Sequence, residues 1–205
     1  MTDFPSVTRT FVLRCRGAAA DPRALRAQVG SDAHTEIIAH TVLSTFFVSQ
    51  SVRLDTELYI IFDKTNDFPK SLRLCMAEGL SLPSAHEAAI FDVLEQGLRA
   101  SSSLQKGQRL TVKPGLELCG FGFEKVLDAA LPGKSGYMLE PEGVPMRTAH
   151  INVPALFVLS DHHALSKNSA KGLERLGLQK LSLGPQMLFA YQAVSLVHYE
   201  LDCSN

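Results

Sequence analysis

Several short groups of residues in this sequence have the types and spacing to do chemistry. Asp161-His162-His163 follows an apolar run and sets a carboxylate beside two imidazoles, which are ligand types for manganese or zinc. Adjacent side chains diverge, and the chain has no DxD cluster to complete a metal pair. A helix-capping aspartate followed by loop histidines is the competing reading, and no bound metal is expected. His34, Glu36 and His40 lie close together, with Glu36 and His40 at i,i+4. On a helix that spacing presents an acid and a base on one face, or makes an ordinary surface hydrogen bond. Gly184-Pro185 joins a strand signal to a helix signal, so close backbone approach and free N–H groups can hold an adenine edge or a carboxylate. An ordinary turn has the same sequence.

The elements around these groups are read from hydrophobic period. Thr10 to Leu13 favours a strand, and Ser31 is placed to cap a helix running to about Gln50. Ile37, Ile38, Val42, Phe46, Phe47 and Val48 make that helix so apolar that neighbouring elements or a partner chain must cover it. Strands are expected at Glu57 to Phe62 and Ser71 to Leu74, and a capped helix after Ser84-Ala85-His86-Glu87. Phe123 to Leu131 reads as a short helix, and Tyr137-Met138-Leu139 as an apolar patch. The last third alternates: strand Val153 to Leu159, helix Ser169 to Leu176, strand Leu178 to Leu183, helix Pro185 to about Leu201. Such alternation predicts an α/β protein with a mainly parallel sheet flanked by helices. Ligands then belong in the loops at the carboxyl ends of strands: Leu139-Glu140, Ser160 to His163, and Leu183-Gly184-Pro185.

Composition narrows the function classes. With 205 residues, 45% of them hydrophobic and 20% charged, the chain can build a packed core, which excludes general disorder. The net charge of −1 excludes a protein that grips nucleic acid by bulk charge. A local basic patch remains, because Arg9, Arg14, Arg16, Arg23 and Arg26 face only Asp3 and Asp21 in the first thirty residues. Arginine suits bidentate phosphate contact. Cys15, Cys75, Cys119 and Cys203 form no CxxC pair and read as reduced thiols. No stretch approaches the roughly 20 apolar residues of a membrane span, and no secretory leader is evident, so a cytoplasmic location is expected. Apolar seams on the helices at Ser31 and Pro185 favour a homodimer.

Longer motifs carry a family resemblance. Phe157-Val158-Leu159-Ser160-Asp161-His162, then Leu181-Ser182-Leu183-Gly184-Pro185-Gln186-Met187-Leu188 and Val194-Ser195-Leu196-Val197-His198-Tyr199-Glu200-Leu201-Asp202, resemble the TrmY family. These are tRNA pseudouridine N1-methyltransferases of the SPOUT superfamily. Upstream, Ala33 to Thr41, Phe47 to Ser51 with Arg53 and Asp55, and His86 to Ala89 are similar to its bacterial branch, so the likeness spans nearly the whole chain. Three positions depart from the family pattern: Ser160 replaces the glycine of a GDH motif, Ala193 replaces a cysteine in the last helix, and His40 stands where an arginine of the RNA-facing helix is often found.

The resemblance implies one SPOUT-type domain over residues 1–205, with an RNA-facing part to about residue 130 and a cofactor-binding part from about 131. That second part would form a deep trefoil knot. S-adenosylmethionine would lie among Met138, Leu139, Ser160, Leu183, Gly184, Pro185, Gln186, Met187, Leu188 and Ala193. Arg9, Arg14, Arg16 and Arg53 would contact RNA, with tRNA expected. Asp161, Glu36 or His40 would accept the N1 proton or orient an extruded base. A cofactor- and RNA-binding protein without catalysis is the alternative. A metal-dependent phosphoesterase built on Asp161-His162-His163 is a more remote one.

Overall fold

A computed structural model describes residues 5–163 and 165–204 of the chain. The strands are β1 (Arg9–Ala19), β2 (Phe47–Val48), β3 (Ser51–Val52), β4 (Thr56–Lys64), β5 (Lys70–Cys75), β6 (Arg109–Lys113), β7 (Leu116–Cys119), β8 (Ser135–Pro145), β9 (Ala155–Ser160) and β10 (Gln179–Ser182). The helices are α1 (Pro22–Ala27), α2 (Glu36–Phe46), α3 (Glu87–Leu98), α4 (Phe123–Ala130), α5 (Lys167–Arg175) and α6 (Ala190–Cys203). β2 and β3 form a small separate hairpin. All the other strands join one sheet in the order β10-β8-β9-β1-β4-β5-β7-β6.

From β10 to β4 that sheet is parallel, and β5, β7 and β6 extend it antiparallel. The expected parallel sheet with flanking helices is therefore present, joined to a meander that hydrophobic period did not reveal at β6 and β7. Alternation along the strands makes two cores. Phe11, Leu13 and Cys15 of β1 face the layer that holds α1, α2, α3 and α6, while Val12 faces α4 and α5. Phe157 and Leu159 of β9 likewise oppose Leu156 and Val158. The apolar α2 is covered within the chain, by α6, α3 and β4.

Several helix bounds differ from the sequence reading: His86, not Ser84, caps α3, and α2 ends at Phe46, with Phe47 and Val48 in β2. Ser31 does not cap α2, because its hydroxyl donates to the Gln28 carbonyl at 2.5 Å and closes the turn after α1. The helix begins at Glu36, behind Thr35. Pro185 does not open α6 either. The chain stays irregular to Phe189, whose N–H donates to Gln192 Oε1 at 3.0 Å, and the helix starts at Ala190. No described helix is long and apolar enough to cross a membrane.

Candidate functional site

The parallel strands β8, β9 and β10 end on one side of the sheet, and the chain opens a cleft there. β8 pairs with β10 through Tyr137 and Met138, leaves the ladder, and rejoins it at Val144 and Pro145. Residues 139–143 therefore bow outward. Their return needs a residue without a side chain, since a Cβ on Gly143 would lie 2.6 Å from the Leu181 carbonyl carbon. Ser182 fastens the bow to the next loop: its Oγ donates to the Pro141 carbonyl at 2.9 Å and accepts from the Gly184 N–H at 3.2 Å.

One wall of the cleft is Leu139, Glu140 and Pro141, and another is Ser160 and Asp161 with Leu165 beyond. The third is the loop before α6, through Leu183, Gly184, Gln186, Met187 and Leu188, with Ala190 and Ala193 beneath it. The cleft encloses about 110 Å³ and opens broadly to solvent. The amide N–H groups of Gln186, Met187 and Leu188 bond no other described residue, so donors line the loop unspent. Apolar walls, free main-chain donors and the carboxylates of Glu140 and Asp161 suit a flat heterocycle that carries a positive charge elsewhere. The small side chain of Ala193 leaves room at the floor.

The strand-end loops chosen from sequence thus converge on one space, but not every residue named for the pocket reaches it. Met138 is fully buried in the core under α4 and α5, on the other face of β8. Pro185 is exposed beside the cleft and is not part of its lining. Pro141, Leu165 and Ala190 line the cleft without having been foreseen, because the bow in β8 and the late start of α6 leave no periodic trace.

Asp161 is 7% exposed. Its Oδ2 accepts the Arg16 N–H at 2.7 Å and its Oδ1 the His163 N–H at 2.9 Å, so the carboxylate braces its own loop against β1. The imidazoles of His34, His162 and His163 pack against one another beside it, tilted by 60° and 44°, with centroids 4.4 Å apart for the first pair and 3.9 Å for the second. The described residues contain no group of three or more His, Cys, Asp or Glu placed to hold a metal ion, so the phosphoesterase reading finds no support. Glu36 and His40 turn apart. Glu36 Oε1 lies 3.7 Å from His34 Nδ1, while His40 Nε2 lies 3.4 Å from Glu87 of α3 and its ring meets Tyr191 edge-on.

The arginines are mostly spent inside the fold. Arg9, 7% exposed, bonds His198 Nδ1 at 3.0 Å and Asp202 at 2.7 Å, and Arg53 grips the same Asp202 at 2.6 Å. Both tie the end of α6 to the start of β1 and the loop before β4, so these two guanidiniums are engaged within the fold. Burial, then the guanidiniums of Arg53 and Arg9, lower the His198 pKa to about 3, so its neutral ring can accept from Arg9. Arg14 bonds Asp63 at 2.7 Å and Ser169 at 3.1 Å and covers the Phe123 ring. Arg16 differs, since its guanidinium has no partner among the described residues. The cysteines are free, as expected. Burial raises the thiols of Cys75 and Cys119 to about 11, which removes them as nucleophiles at neutral pH.

An α/β fold with a main-chain-lined cleft at the carboxyl ends of parallel strands defines a small-ligand-binding protein of the doubly layered class. The chain belongs to the family described as "Putative SAM-dependent RNA methyltransferase", whose profile matches residues 8–205. A protein from Vibrio vulnificus named "Putative pseudouridine methyltransferase" is 38% identical over 194 residues, covering 95% of this chain and 98% of its own. One of the same name from Alcanivorax borkumensis is 39% identical over 198 residues, covering 96% and 99%. The fold is that of Archaeoglobus fulgidus Nep1, solved bound to S-adenosylhomocysteine, with a TM-score of 0.59 at 12% identity over 96% of this chain and 98% of that one.

Proposed function

We propose that this protein is a cytoplasmic S-adenosylmethionine-dependent methyltransferase of the TrmY type, acting on N1 of a pseudouridine in tRNA or another structured RNA. The observation that carries the reading is the meeting of three strand-end loops around one cleft with unspent N–H donors. S-adenosylmethionine, when bound, supplies an electrophilic methyl group. The bow within β8 and the loop before α6 would hold the cofactor, with Leu139, Leu183 and Ala193 as apolar walls and the carboxylates of Glu140 and Asp161 favouring its positive charge. Catalysis rests mainly on positioning an extruded base against this cleft. Glu36, partly exposed at the start of α2, and His40 one turn on are candidates to take the N1 proton. Asp161 acts first as a brace, because both its oxygens are already engaged.

Of the four arginines expected at RNA, Arg16 is the one whose guanidinium has no partner among the described residues, so it is available for RNA phosphate. A second copy of the chain would cover Leu196, Tyr199 and Phe189, which stand 39%, 56% and 47% exposed along α6 and the turn before it. The trefoil knot of residues 131–205 goes with this reading. So does the alternative of a cofactor-binding RNA partner without catalysis, which gains from the engaged state of Asp161.

Calorimetry with S-adenosylmethionine and mass spectrometry of RNA nucleosides from a deletion strain test the reading together. Expected are one bound cofactor per chain and the loss of one methylated pseudouridine. Binding without any lost nucleoside would leave only the non-catalytic alternative.

A further inference from the structure

The imidazole stack beside Asp161 has no structural task that explains its cost. His34 holds a backbone φ of 48°, a left-handed conformation uncommon outside glycine, although histidine is, with asparagine and aspartate, one of the side chains enriched there. Next to it the Thr35 hydroxyl is buried without a hydrogen bond, and so is Nδ1 of His162. Each orphaned buried group is destabilising. Strain and unmet polar atoms gathered at one place mark a site held ready for something else.

The geometry says what that is. His162 sits in the middle, its Cε1 facing Gly17 at the end of β1, while His163 is exposed and the His34 side chain keeps 43% of its surface open. The outer rings therefore reach solvent, each tilted against the central one. Glu36 lies against His34, and Asp32 and Asp161 stand close enough to act on His162. Those carboxylates disfavour a phosphate here and favour an uncharged ring. Burial lowers the His162 pKa, helped by the neighbouring His163 and His34, so the central ring stays neutral and the stack does not repel itself.

Resting on the RNA-methyltransferase reading, we propose that His34, His162 and His163 form a stacking platform that receives the extruded pyrimidine base, or its neighbour, at the rim of the cofactor cleft. The platform adjoins the cleft through Asp161, which lines it and accepts the His163 N–H. A base stacks on an aromatic side chain whatever its hydrogen-bonding edge, because every base has a π-face.

The test measures the affinity of an RNA hairpin carrying one pseudouridine in its loop, in saturating S-adenosylhomocysteine, for the wild type, His163→Ala, His163→Phe and His34→Asn. Asparagine tolerates the left-handed backbone, so that variant removes the ring without adding strain. Expected is a loss of about tenfold or more for His163→Ala, a similar loss for His34→Asn, and near-wild-type binding for His163→Phe. S-adenosylhomocysteine affinity should stay unchanged in all, which shows that the cleft is intact. Hairpin binding that ignores His163→Ala, that is absent from the wild type, or that Phe fails to restore would overturn the platform. Wild-type protein that transfers no methyl group, yet binds the hairpin through His163, would overturn the catalytic reading and leave the platform standing.

Discussion

The two ends of the main sheet treat buried charge in opposite ways. At the amino-terminal end of β4, Glu57 is 2% exposed and fully answered: Lys134 Nζ lies at 2.6 Å, Thr10 Oγ1 at 2.9 Å and Arg73 Nε at 3.0 Å. Arg73 continues to Glu78 at 2.6 Å and Glu117 at 3.3 Å, linking β4, β5 and β7. At the carboxyl-terminal end, Asp161 meets only main-chain N–H groups, while the loop before α6 and the histidine stack leave polar atoms unmet. A closed network is what a structural element needs, and unspent groups are what a ligand completes. The contrast divides the molecule into a clamp and a site.

The largest expected effect breaks the clamp. Glu57→Ala leaves Arg73 and Lys134 without their buried partner and should cost about 3–5 kcal/mol in urea unfolding. Cofactor affinity of the protein that remains folded should hold, since the cleft lies at the other end. Next comes the site. Ala193→Phe fills the cleft floor and should weaken S-adenosylmethionine binding at least about 100-fold, or about 2.7 kcal/mol, as read by calorimetry. The urea midpoint should move far less than for Glu57→Ala. An inverted pattern would abolish the division.

Acid should loosen a third place, the joint between α6 and β1. In the unfolded chain His198 takes a proton below its ordinary value of 6.5, whereas in the folded chain it resists down to about 3. The unfolded state therefore binds more protons in that window, and stability falls as pH falls from 6.5 toward 3, by at most about 1.4 kcal/mol per unit. Asp202 adds to the same trend. Burial pushes its carboxyl up, but hydrogen bonds from Arg53 and Arg9 prevail and hold it below the usual range. Melting temperatures across this window should decline more steeply for the wild type than for His198→Gln, which has no ring to protonate.

Much of the site was legible in sequence because strand-end loops follow from apolar runs and turn residues. Val153 to Leu159 and Leu178 to Leu183 mark β9 and β10 closely, and their loops meet at the cleft. What escaped were contacts set by distant chain. Nothing local to Arg9 shows that His198 and Asp202 will draw it inward across 189 residues. The resemblance names Met138 as a pocket residue, yet it points to the second core, and the bow that brings Glu140 and Pro141 to the cleft leaves no trace in the period of β8. His34, whose neighbours suggested only an acid and base pair, acquires its meaning from a loop that follows β9.

The smallest expected effect separates clamp from site most finely. Ser166 caps α5 by accepting the Ser169 N–H at 3.1 Å, and Asp21 caps α1 by accepting the Ala24 N–H at 2.8 Å. Replacing either with alanine should cost about 1 kcal/mol of stability, because each frees one helix-end donor. Their reach differs, though. Ser166 directly follows Leu165 of the cleft wall, and its hydroxyl also meets Ser169 Oγ, which Arg14 holds; Asp21 lies in the turn between β1 and α1 and lines no part of the cleft. Ser166→Ala should therefore weaken S-adenosylmethionine binding by about two- to fivefold, within the range of a lost cap felt at a neighbouring wall, while Asp21→Ala leaves it unchanged. Equal losses of affinity in the two variants would mean that the cleft senses overall stability, and that it is not the separately held site its unspent donors imply.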